Sequence, residues 1–329
     1  MKVVIPLAGL GTRLRPQTYT RPKPLVELAG KPLLGHILDR LAPLPIEELI
    51  FITGYLGDQI EAYVATNYDL NASYVEQAEQ LGQAHAIQLA RDHLSGPTFI
   101  VFADTIFETD IDKLKSVQSD GVLYVHEVDD PRRFGVAVTE GQYITRLVEK
   151  PETPVSNLAL VGLYYFTDGQ QLISAIDALI ESGHQTKGEY FIADAIQIMI
   201  DRGAKLETQT IDVWLDCGTP EALLDTNRYL LGTYEQQPCS FPGTSVLPPV
   251  YVADGANVEN SVIGPYVSLG RGANVSGSIV RDSILGEGCS VENEALTGSI
   301  IGNRARVRGV YNTLNVGDTS YINLGAPED

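Results

Sequence analysis

Four cations, Arg13, Arg15, Arg21 and Lys23, fall within eleven residues of a 329-residue chain whose formal net charge is -19. Just before them, Leu7-Ala8 leads from the β-branched run Val3-Val4-Ile5 and Pro6 into a turn with Gly9 and Gly11. Glycine has no Cβ and tolerates positive φ, so several N–H groups of such a turn, Thr12 included, can converge on an anion. Cations beside that turn in so acidic a chain point to a polyanionic ligand, with triphosphate the leading candidate. Asp104 follows the apolar run Phe99-Ile100-Val101-Phe102, and Asp216 follows Val213-Trp214-Leu215. A carboxylate at the carboxyl end of a buried strand suits Mg²⁺, which binds through one or two carboxylates plus substrate phosphates. Taken by itself, Asp104 reads more readily as a strand-end turn residue than as a metal ligand. In Glu149-Lys150-Pro151 the carboxylate can accept hydrogen bonds from hydroxyls and the ammonium can pair with a phosphate, although taken singly the two read as an ordinary exposed pair.

The elements that must hold these groups follow from periodicity. Val3–Ile5, Leu49–Ile52, Ala72–Val75 and Phe99–Phe102 read as strands. Pro32 to Leu44 carries Leu33, Leu34, Ile37, Leu38 and Leu41 at helical spacing, and Asp58 to Asn67 reads as a second helix. A third helix enters after Gly82, its apolar face formed by Ala84, Ile87, Leu89 and Ala90. Strand and helix in alternation make a mostly parallel sheet with helices on both faces, with ligands at the carboxyl ends of the strands. From 121 to 166 the pattern changes to strands joined by short turns: 122–128, 135–138, 144–149 and 158–166. Helices are expected at 170–182 and 190–202, then a short strand pair leading to Val213, and a helix to Leu231 capped by Thr219 with Pro220 in its first turn.

Composition narrows the class. No basic stripe is present, which speaks against nucleic acid as a partner. No apolar run approaches the ~20 residues of a membrane helix, and Met1-Lys2 leads directly into a strand, so a cytoplasmic protein without membrane association is expected. Cys217, Cys239 and Cys289 have no metal-like spacing and read as structural thiols.

The string Gly9-Leu10-Gly11-Thr12-Arg13-Leu14, followed by Lys23-Pro24, resembles the signature of the sugar-nucleotide pyrophosphorylases, which join a nucleoside triphosphate to a sugar 1-phosphate. Many members have one more glycine in the turn; this shorter form is similar to that of bacterial UTP-glucose-1-phosphate uridylyltransferases. The resemblance extends through Phe134-Gly135-Val136, Glu149-Lys150-Pro151, Val161-Gly162-Leu163-Tyr164, Gly188-Glu189-Tyr190 and Trp214-Leu215-Asp216-Cys217-Gly218-Thr219-Pro220. It implies a Rossmann-like α/β domain in which Leu7, Ala8, Gly9, Gly11, Thr12, Arg13, Gln77 and Gly82 bind the nucleotide. In that scheme Gln77 reads a pyrimidine edge and Gly82 leaves room for the ring. It further implies that Gly135, Glu149, Lys150, Asn157, Gly162 and Glu189 bind the sugar phosphate, and that Asp104 and Asp216 hold Mg²⁺. Arg13, Lys23, Asp104, Lys150 and Asp216 would then carry the catalysis. Gln83 stands where relatives often have Thr or Leu, so dTTP, UTP and GTP stay open, with a pyrimidine favoured and glucose 1-phosphate the default sugar. His85 reads as a packing histidine.

Beyond residue 231 the grammar changes. Residues 232–249 read as a linker, and from 250 to 329 Ile263-Gly264, Leu269-Gly270, Leu285-Gly286 and Ile301-Gly302 recur, with Val252, Val258, Val275, Val291 and Val307 on nearby six-residue steps. This resembles the hexapeptide repeat of left-handed parallel β-helices, three to four coils before Tyr311 and then an acidic tail. Flat coil faces and an open end coil favour a homo-oligomer. Hexapeptide acyltransferases normally need a general-base histidine in or beside the coils, and none follows His184. Mannose-1-phosphate guanylyltransferase and a non-catalytic regulatory subunit are the alternatives to the leading activity.

Overall fold

The computed structural model describes residues 1–235 and 238–310; the acidic tail from Tyr311 to Asp329 lies outside the described residues. The chain divides into two compact units, Met1–Glu235 and Gln236–Asp329.

Besides a short antiparallel pair, Glu27–Leu28 with Lys31–Pro32, the strands of the first unit are β1 (Lys2–Pro6), β2 (Glu48–Thr53), β3 (Ala72–Glu76), β4 (Thr98–Val101), β5 (Thr105–Glu108), β6 (Gly121–Glu127), β7 (Gly135–Glu140), β8 (Tyr143–Glu149), β9 (Leu158–Phe166), β10 (Leu206–Thr210) and β11 (Val213–Asp216). Nine of them form one sheet in the order β3-β2-β1-β4-β9-β6-β10-β8-β7. The half from β3 to β4 is parallel throughout. The other half is mixed: β9 runs antiparallel to both β4 and β6, while β10 returns parallel to β6. The chain steps outward from β1 to β2 and β3, then crosses back to place β4 on the other side of β1. That reversal opens a crevice at the carboxyl ends of β1 and β4.

Side chains alternate across the strands, so Val4, Ile50, Ile52 and Ile100 enter a single core with α3 (Gln83–Leu89), α4 (Gly169–Ser182) and α5 (Ile192–Asp201). On α1 (Leu33–Leu41) the five expected apolar residues are all buried. The second helix, α2, spans Gly57–Asn67. On α3 the expected face needs one correction. Ala84, Ile87 and Ala90 are buried, but Leu89 is 38% exposed, because it lies off the stripe that Ala86 completes. The last helix, α6 (Pro220–Thr233), opens as its sequence requires, with Thr219 Oγ1 accepting the Ala222 N–H at 3.3 Å. The strands before it do not pair with each other. β10 inserts into the large sheet, whereas β11 pairs with β5, setting Asp216 beside Thr105.

Among the described residues the second unit is a stack of three four-stranded parallel sheets, as in a parallel β-helix. Val250 sits beside Val267 and Val267 beside Ser283, so one coil takes sixteen or seventeen residues, fewer than three full hexapeptides. Val258, Val275, Val291 and Val307 lie in register, one per coil, in its aliphatic core. The repeated serines have a backbone task. Ser261 Oγ accepts the N–H of Ser278 at 3.1 Å, and Ser278 Oγ that of Glu294 at 3.1 Å, one coil on. Gly270 recurs because a Cβ there would stand 2.7 Å from the Glu287 nitrogen of the next coil.

Candidate active site

One cleft in the first unit has two lobes. The first, with room for about 330 Å³, is lined by Leu7, Ala8, Gly9, Gly11, Thr12, Arg13 and Lys23 after β1, by Gln77 and Gly82 after β3, and by Asp104 after β4. Its turn is fixed by two side-chain bonds. Thr18 Oγ1 donates to Gly11 O at 2.8 Å and Gln80 Nε2 to Ala8 O at 3.1 Å, so two of its carbonyls are already engaged within the protein. Among the described residues the N–H groups of Ala8, Gly9, Leu10 and Gly11 donate to no protein acceptor, which leaves them free for an anion. Of the four cations near the turn, only Arg13 and Lys23 line the cleft. Arg15 lies over the Tyr19 ring at 5.0 Å, and Arg21 donates to Leu25 O and pairs with Glu27.

The second lobe is lined by Gly135, Glu149, Lys150, Gly162, Trp214 and Asp216, and it shares Arg13, Gln83, Phe102 and Asp104 with the first. Lys150 sits at the end of β8 with φ 44°, its Nζ 3.6 Å from Glu149 Oε1 and 5.4 Å from the centroid of the Phe191 ring. Burial pushes the Glu149 carboxyl above the usual carboxylate range, with Asp194 adding to the rise while Lys150 and Lys187 oppose it.

At the junction of the lobes, Lys23 Nζ lies 3.8 Å from Asp104 Oδ2; the lysine side chain is 14% exposed and the aspartate 53%. Asp104 O accepts the Cys217 N–H at 2.8 Å, which binds the end of β11 to the loop after β4 and brings both aspartates to one lobe wall. Asp216 Oδ1 accepts the Gly218 N–H at 2.8 Å. Among the described residues no group of three or more His, Cys, Asp or Glu could hold a metal unaided. Two carboxylates opening onto a cleft with free phosphate-binding donors are the partial donor set that Mg²⁺ takes when substrate phosphates and water complete its shell.

A family model described as nucleotidyl transferase matches residues 2–232. The chain belongs to the nucleotidyl transferase family. It is 34% identical over 323 residues to a glucose-1-phosphate thymidylyltransferase of Streptomyces griseus, covering 94% of this chain and 89% of the relative. It is 36% identical over 234 residues to a UTP–glucose-1-phosphate uridylyltransferase of Haloferax volcanii, covering 67% of this chain and 93% of the relative. Its fold is similar to that of a UDP-glucose pyrophosphorylase solved with UDP-glucose, with a TM-score of 0.63 at 24% identity over 71% of this chain and 99% of that one.

Within this nucleotidyl transferase the expected positions meet in the cleft except Asn157, and Glu189 does so in the lobe opposite to the one expected. Asn157 is exposed and outside both lobe linings, its carbonyl accepting the Val128 N–H at 3.0 Å. Glu189 lines the first lobe, although its motif was read as part of the sugar half. The glycines at 82 and 135 also have reasons other than room for a ring. A Cβ on Gly82, at φ 111°, would stand 2.6 Å from the Tyr190 backbone, and one on Gly135 would stand 2.8 Å from Glu149 Oε2. Sequence reasoning missed Gln80, whose bond to Ala8 O crosses seventy-two residues, and Arg133 and Trp214 as walls of the second lobe. Arg133 lies next to the Phe134-Gly135 motif, which was the available signal. The free cysteines include Cys217, whose thiol burial pushes up to about 12 beside the site.

Proposed function

We propose that this chain joins UTP or dTTP to a sugar 1-phosphate, glucose 1-phosphate first among them, releasing pyrophosphate. The observation that carries this reading is the pair of lobes meeting at Arg13 and Asp104: one ends in a glycine turn with free N–H groups, the other in Glu149 and Lys150. The names of the two curated relatives support the choice of nucleotide and sugar.

In this reading the triphosphate lies against the turn from Gly9 to Thr12, with Arg13 and Lys23 neutralising its charge, and Gln77 meets the base. Lys150 holds the sugar phosphate and Glu149 accepts from sugar hydroxyls. The sugar-phosphate oxygen attacks the α-phosphorus in line, a new P–O bond forms, and the bond to the β-phosphate oxygen breaks to release pyrophosphate. The nucleophile is already an anion, so no general base is required. Catalysis is positioning and charge neutralisation at the junction. Asp104 and Asp216 would hold Mg²⁺, which neutralises phosphate charge when bound. The test is pyrophosphate release by purified full-length protein with each nucleoside triphosphate against a panel of sugar 1-phosphates. Release with UTP or dTTP and glucose 1-phosphate is expected; release with no combination would overturn the proposal, and release with GTP and mannose 1-phosphate alone would move it to guanylyl transfer.

A further inference from the structure

His85 was expected to be packing only, yet its imidazole touches the residue assigned to the base. Gln77 is 5% exposed and lines the first lobe. Its Nε2 lies 3.2 Å from Gly82 O and 3.3 Å from His85 Nδ1. A carbonyl oxygen can only accept, so the amide atom facing Gly82 must be the nitrogen. The same nitrogen faces His85, so Nδ1 must be the lone-pair nitrogen of the ring and the proton sits on Nε2. Both amide hydrogens of Gln77 are thereby used within the protein. Gln77 Oε1 accepts from no described residue, and it is not among the buried, unpartnered side-chain atoms, so it is not sealed from solvent on a residue that lines the first lobe. The half-buried His85 is itself held in place, because α3 is anchored by the Ala84 N–H donating to Tyr190 O at 2.9 Å.

We infer that His85 is a positioning residue for base selection: with Gly82 O it locks the Gln77 amide so that only an acceptor faces the base. The inference rests on the proposed function, in which Gln77 meets the base. An acceptor-only reader favours a ring with an N–H at the pairing edge, as in uracil and thymine. Cytosine presents a bare nitrogen at that place, which Oε1 would repel. Without His85 the amide is held by one bond instead of two and can turn its nitrogen toward the ligand.

The test is calorimetric titration of full-length protein with UTP and with CTP, alongside thermal unfolding. His85→Phe and His85→Leu lack an acceptor, whereas His85→Gln keeps one. The wild type should prefer UTP, both non-accepting variants should lose roughly tenfold of that preference, the scale of one hydrogen bond, and His85→Gln should retain most of it. General damage to α3 would weaken both nucleotides together and leave the ratio unchanged. Folded His85→Phe or His85→Leu with the wild-type ratio would overturn the inference, as would a wild type that binds CTP as well as UTP. Neither result bears on whether pyrophosphate is released from other substrates, so failure here and failure of the proposed reaction remain distinct.

Discussion

Lys23 is the largely buried cation at the junction of the lobes, and its removal should strike the developing charge on pyrophosphate. Lys23→Ala should lose roughly 2 to 4 kcal/mol of transition-state stabilisation in kcat/KM, with little change in thermal stability. Wild-type turnover in that variant would remove Lys23 from the machinery. If Asp104 and Asp216 share one Mg²⁺, Asp104→Asn and Asp216→Asn should each raise the Mg²⁺ needed for half-maximal rate, and the double variant should lose much less than the product of the two effects. Multiplicative losses would place them on separate tasks. Gly218 offers a subtler probe, because a Cβ there would stand 2.8 Å from Arg13 Nη2 and 2.9 Å from Asp216 Oδ1. Gly218→Ala should displace both and cost on the order of 100-fold in kcat/KM, the scale of an ångström's misplacement. An unchanged kcat/KM would show that neither position is critical.

Among the elements, the N-terminal helix α1 carries a pH-sensitive joint with the end of α6. His36 Nε2 lies 2.8 Å from Leu28 O, so that nitrogen bears the proton, and Nδ1 accepts from Tyr234 Oη at 3.0 Å. Burial lowers the His36 pKa to about 4. The unfolded chain therefore takes the proton first as pH falls: the contribution is complete above the ordinary histidine value of about 6.5 and is lost progressively toward pH 4. On the order of 3 kcal/mol of stability should disappear across that window. His36→Gln should flatten the pH dependence of Tm between 6.5 and 4, and an identical slope in the variant would refute the assignment. Elements of this kind were legible in the sequence. Leu33 to Leu41 specified its own buried stripe, and Thr219-Pro220 its own helix start, because local spacing decides both. The partners of β10 and β11 were not legible, because strand pairing depends on which edge is open when the strand arrives, and no residue of Leu206–Asp216 encodes that.

At the scale of the whole molecule, the lining of both lobes comes from the first unit, and α6 runs to Thr233 with Tyr234 bonded to His36. We propose that the first unit carries the transferase activity and that the coils mediate homo-oligomerisation. A cut after Leu231 would sever that joint, so the informative truncation follows Glu235. Light scattering should show an oligomer for the full chain, and the fragment should lose it while keeping measurable activity; a monomeric full chain, an unchanged oligomer, or a folded but inactive fragment would refute the division of labour. Residue order alone specifies the glycine turn with its adjacent cations, the strand ends that deliver Asp104 and Asp216, the Glu149-Lys150 pair and the repeating coil, because each depends on local spacing. Packing between distant elements was needed to set Arg13 and Lys23 on the cleft while Arg15 and Arg21 turn elsewhere, to brace the turn with Gln80 from seventy-two residues away, and to bring His85 against Gln77. Those outcomes depend on which side chains meet across separate elements, and a hydrogen bond between distant residues leaves no periodic trace along the chain.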